Sequence, residues 1–157
     1  MGHYIANLRD IEFCLFDLLD RESVLGSSIY KDLDRETVMG MLEEVKRLAE
    51  NDLAASFIEG DRKGTEFNKA TGDVKLPESF KKSYRAYMDN EWWRIDAPEE
   101  LGGNRIPLTV RWAIAEMILG SNPAIHIYAS GTSFAQDRKS TRLNSSHIPL
   151  SRMPSSA

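Results

Sequence analysis

Few residues in this chain combine the types and spacing that chemistry needs. Glu99 and Glu100 are the first candidates, because paired carboxylates can share general acid and base work. Adjacent residues do not face one another in regular structure, so the pair reads as turn and helix-cap chemistry. Gly102-Gly103 follows almost at once. No G-x-G-x-x-G or Walker pattern surrounds it, and a turn requiring positive φ explains it better than a phosphate loop. Lys81, Lys82 and Arg85 form a small basic group that could meet phosphates, although a solvated helix face accounts for them. Tyr84, Tyr87, Trp92 and Trp93 could stack on bases, but a helical domain of this size needs large apolar anchors. His126 has no histidine or cysteine near it in sequence, which argues against a metal site. Cys14 is the one thiol of the chain, and a lone thiol on a helix is usually a small apolar group.

The elements that must position these residues are helical. Ile5, Leu8, Ile11, Leu15 and Leu18 fall at spacings of three and four, which predicts a first helix over residues 4–20. Phe13 and Phe16 lie off that stripe and imply a second partner surface. Gly26, Ser27 and Ser28 break the pattern. Asp34 is placed to cap a second helix, with Glu36 in its first turn. Val38, Met41, Leu42, Val45, Leu48 and Ala49 form its apolar face; Glu43, Glu44, Lys46, Arg47 and Glu50 form its wet face. This helix can run on through Leu53 and Phe57. Gly60, Gly64 and Gly72 then mark a long loop.

Pro77 suits the first position of a third helix carrying Phe80, Tyr84, Tyr87 and Met88. Pro107 opens a fourth helix, Leu108 to Leu119, apolar nearly all round and expected to end at Gly120. Ser121 or Asn122 caps a fifth, with Pro123 at its first position and its body reaching about Phe134. No segment reads as a convincing strand. The expected fold class is therefore all-α, with about five helices.

Bulk properties narrow the function. The 157 residues fit one domain with one modest core. A net charge of −4 argues against a nucleic-acid partner, which would require a basic face. The most apolar stretch, Trp112 to Leu119, is short and contains Glu116, so no membrane span is expected. The single cysteine allows no internal disulfide and fits a reducing compartment, and a cytoplasmic location is expected. After Gln136 the character changes. Residues 137–157 show no helical or strand period. Asp137–His147 and Ser151–Ala157 back-translate, in one frame, to a sequence resembling a short-read sequencing adapter, with Ile148-Pro149-Leu150 where an index would sit. This tail is expected to be non-native and disordered. It holds four cations and one anion, which leaves a net −7 on residues 1–136.

Within Leu76–Phe134 the order of features is distinctive. An amphipathic helix leads to the apolar pair Trp92-Trp93 and then to Pro98-Glu99-Glu100-Leu101-Gly102-Gly103. Ala113-Ile114-Ala115-Glu116-Met117 follows on a helix, and a short break precedes the helix at Pro123. The segment resembles the N-terminal helical domain of acyl-CoA dehydrogenases. Residues 1–35 resemble an extra helical segment at the start of some larger bacterial members, which makes 36–136 the helical domain proper. Two departures stand out. Trp92-Trp93 replaces a usual pair of leucines, and Asn104-Arg105 replaces small residues after the double glycine.

The resemblance implies an enzyme that uses FAD. A glutamate takes the α-proton of an acyl-CoA, the flavin takes the β-hydride, and an electron-transfer acceptor reoxidises the flavin. In the family the flavin contacts begin in a later strand-rich domain and the glutamate lies later still. No catalytic or flavin-binding residue is therefore expected here, and the fragment alone is expected to be inactive and colourless. Laying the sequence on the family's pocket-wall helix puts Ile125, His126, Ala129 and Ser133 towards the fatty-acyl chain. A homo-oligomer is expected when the protein is intact. Two other readings fit residues 1–136: an acyl-CoA oxidase of the same superfamily, and a non-enzymatic helical interaction module that binds through the aromatic stripe of the third helix.

Overall fold

The computed structural model describes residues 2–97 and 99–131. Pro98, Ser133 and the expected tail lie outside the described residues. Five helical segments make up the fold, with one small hairpin between the second and third.

Helix α1 runs as an α-helix over Leu8–Glu12 and continues as a π-helix over Phe13–Leu18. Its N-cap is Asn7, whose side chain accepts from the Asp10 amide at 3.3 Å. The π segment corrects the expected stripe. Wider turns carry the buried face from Ile11 to Leu15 and Phe16, while Ile5 and Leu18 are each 67% exposed. Phe16 is thus a core residue, and the Arg35 guanidinium sits 4.6 Å over its ring.

Helix α2 begins at Arg35 with the predicted cap: Asp34 accepts from the Thr37 amide at 2.7 Å. It runs over Arg35–Arg47 and goes on through a π-helical Leu48–Leu53, a 3-10 turn at Ala54–Ser56 and an α-helical Phe57–Lys63. Val38, Leu42, Val45, Leu48 and Ala49 are buried as expected, with Met41 at the margin. Gly60 lies inside this helix rather than in a loop. Strands β1 (Glu66–Phe67) and β2 (Val74–Lys75) then pair antiparallel around a turn in which Gly72 has φ +77°. These short, exposed strands lack the alternation that would have announced them.

Helix α3 (Glu78–Asp89) packs on the Leu48–Leu53 segment, and Pro77 stands one residue ahead of it as N-cap. Helix α4 (Leu108–Ser121) lies against α2, and α5 (Pro123–Ala129) folds back on α4 after the single residue Asn122. Gly120 does not end α4; the helix continues to Ser121. One continuous core joins Leu15, Leu42, Leu53, Tyr87, Ile114, Met117 and Ile125. Full burial of an aliphatic side chain contributes about 1.5–3 kcal/mol, so this core sets the relative placement of the five segments.

Candidate functional site

Helices α3, α4 and α5 and the 3-10 turn Trp92–Asp96 enclose a cavity of about 180 Å³. Tyr87 comes from α3 and Ile95 from the turn. Arg111, Trp112 and Ile118 come from α4, and His126 and Ala129 from α5. Each element is fixed by identifiable local chemistry. Pro107 and Pro123 pre-set the start of α4 and α5. The Asn122 carboxamide caps α5 by accepting from the Ile125 amide at 3.4 Å. The same side chain donates to the Leu53 carbonyl and the Ser56 hydroxyl, both at 3.0 Å, and so ties the α4–α5 junction to α2. It is 2% exposed, a buried polar group with its hydrogen bonds made.

The walls of the cavity are mostly apolar, with polar atoms supplied by Arg111, His126 and Ser130. Such a space accommodates hydrocarbon better than charge. Of the four expected pocket residues, His126 and Ala129 line it. Ile125 is fully buried in the core and does not line the cavity, and Ser133 lies outside the described residues. Sequence reasoning missed Arg111, Ala115 and Ile118 as wall residues, although their spacings of four and three on α4 would have placed them on one face.

The remaining candidates are structural in this geometry. Glu99 pairs with Arg105 at 3.2 Å, and Glu100 is exposed in a 3-10 turn; neither lines the cavity. Gly102 has φ +78°, as a tight turn requires. A Cβ on Gly103 would overlap the Ala97 carbonyl. Arg94 holds this turn, donating to the Gly102 carbonyl at 3.2 Å and to Glu91 at 2.7 Å. Lys81 pairs with Glu78 at 2.6 Å and holds that carboxyl below its ordinary range. Cys14 is half-buried rather than wholly enclosed. No cluster of three or more metal-ligating side chains occurs among the described residues.

The fold is a helical domain with this turn between its third and fourth helices, and its curated sequence relatives put the chain in the acyl-CoA dehydrogenase family. It is 47% identical over 136 residues to the broad-specificity linear acyl-CoA dehydrogenase FadE5 of Mycobacterium tuberculosis, a match covering 87% of this chain. It is 30% identical over 115 residues to the 3-methylmercaptopropionyl-CoA dehydrogenase of Ruegeria pomeroyi, covering 73% of this chain. The chain spans about a fifth of the length of these curated relatives, 22% and 19% respectively. No family model matches it.

Proposed function

We propose that the whole protein to which residues 1–136 belong oxidises an acyl-CoA to the trans-2-enoyl-CoA, in fatty-acid β-oxidation. The observation that carries this reading is the 47% identity to an acyl-CoA dehydrogenase over 136 residues, as many as precede the tail. In this reading FAD accepts the hydride and an electron-transfer partner reoxidises it. No step of the reaction is assigned to the described residues. Their contribution in this reading is part of the wall of the acyl pocket, supported by the place of His126 and Ala129 on the cavity surface; Ile125 and Ser133 are assigned to the same wall by the family resemblance. The intact enzyme acts as a soluble cytoplasmic homo-oligomer.

The interaction-module alternative loses its proposed surface. Phe80 and Tyr87 are buried in the core, and Tyr84 and Phe80 both meet Tyr128 edge to face. The test compares two purified proteins. The product of the uninterrupted gene should be yellow and reduce an artificial electron acceptor when given acyl-CoA. The 157-residue chain should be colourless and inert. A colourless, inactive full-length product would overturn the assignment.

A further inference from the structure

The segment before α1 is not helical, yet it is held tightly. Gly2 runs beside α2: a Cβ there would lie 3.3 Å from the Glu50 carbonyl. The His3 ring stacks on Phe57, with centroids 4.3 Å apart. Ala6 is buried, and its amide donates to the Glu50 carboxylate at 2.9 Å. This contact explains why Glu50, expected on the wet face of α2, is only partly exposed. Between these anchors, Tyr4 lays its ring on the backbone of α4 at Gly120. A Cβ at that position would stand 2.5 Å from Tyr4 Cε2 and 3.1 Å from Cζ. Glycine in the last turn of a helix is normally a weakness or a stop signal; here it makes room for an aromatic ring. The Tyr4 phenol is pushed above its ordinary range by burial and then by Glu116 and Glu50.

Gly120 is two residues from Asn122, and only Asn122 separates α4 from α5. The end of α4 is therefore gripped from two sides, by Tyr4 and by the Asn122 bonds to Leu53 and Ser56. Helix α5 is seven residues long and carries His126 and Ala129 on its cavity face. A helix this short has little stability of its own, and its seat depends on its junction. We propose that residues 2–7 form a strap whose positioning residue, Tyr4, fixes the α4–α5 junction and thereby sets the cavity wall made by His126 and Ala129.

The test uses the full 157-residue chain and needs neither flavin nor substrate, so its outcome is separate from the enzyme assignment. Amide hydrogen exchange is measured residue by residue in the parent chain and in Tyr4→Ala, Tyr4→Phe and Gly120→Ala. Tyr4→Ala and Gly120→Ala should each speed exchange at the Ile125, His126 and Ala129 amides by about tenfold, leaving the α3 amides of Tyr84 and Tyr87 unchanged. The His126 ring resonances should shift in the same two variants, and Tyr4→Phe should restore both readouts. Equal acceleration in every helix, or no change in α5, would overturn the proposal. If Tyr4→Ala does not fold, Tyr4→Leu is judged by the same two readouts.

Discussion

Asn122 does three jobs with one buried side chain: it caps α5 and holds the Leu53 carbonyl and the Ser56 hydroxyl. Replacing it with Ala removes the cap and two buried hydrogen bonds, leaving the Ser56 hydroxyl and the Leu53 carbonyl their own long 3.5 Å contact, which costs about 1–3 kcal/mol. Urea unfolding of Asn122→Ala should show that loss, and an unchanged midpoint would mean the junction is held elsewhere. Gly103 is constrained differently. With Ala97 in the way of any side chain, Gly103→Ala must shift the turn that Arg94 ties down, and it should destabilise the chain by about 1–3 kcal/mol. Gly40→Ala serves as the control. A Cβ at Gly40 meets nothing within 4 Å, so the change should stabilise α2 by about 0.5–1 kcal/mol through helix propensity. Sequence alone marks Gly102-Gly103 as a turn, and Gly102 fills that role with its positive φ. It cannot distinguish Gly103, needed for close approach, or Gly120, needed for Tyr4, because both partners are distant in sequence. Asn122 was visible as a cap, whereas its bonds to α2, 66 and 69 residues away, were not.

At the scale of elements, the signals that act over one turn were readable. Asp34 caps α2, and prolines precede α3 and α4 and open α5, each within a residue of the expected place. The π-helical segments were not readable. An extra residue per turn rotates the buried face by an amount set by packing against a partner helix, and no local residue encodes it. That is why Phe16 replaced Leu18 in the core and why an even 3.6-residue stripe misread α1. The cap on α2 also gives a pH dependence. Hydrogen bonds from the Thr37 side chain and amide lower the Asp34 carboxyl below its ordinary range. Its stabilisation is present above the unfolded-state pKa and is lost as pH falls through the folded-state value. Glu59, paired with Lys63, and Glu78, paired with Lys81, are lowered as well and act in the same direction. Thermal midpoints should therefore fall on acidification, and Asp34→Asn, which keeps an acceptor, should flatten the acid limb while holding the midpoint at neutral pH. An identical acid limb in Asp34→Asn would remove the cap from this account.

At the scale of the whole molecule, the outer face of α4 and α5 is uncovered. Leu108, Trp112, Ile127 and Tyr128 are each more than half exposed, a large apolar area for a freestanding domain. Among the described residues no helix is long and apolar enough to cross a membrane, so the span does not explain them. The isolated chain should bind a hydrophobic dye and self-associate with concentration, and Trp112→Gln should weaken both. A monodisperse chain that ignores the dye at high concentration would contradict it. The apolar all-round character of α4 was plain in the sequence; which side stays open was not, because that depends on where the other helices sit. The central proposal is that residues 1–136 belong to a longer enzyme of the acyl-CoA dehydrogenase family, of whose curated relatives the chain spans about a fifth. Sequencing the source DNA across the codon for Gln136 tests it most directly. The expected result is a frame that continues into a strand-rich flavin domain and a later catalytic glutamate. DNA that instead encodes residues 137–157 as they stand, with a stop after Ala157, would contradict it.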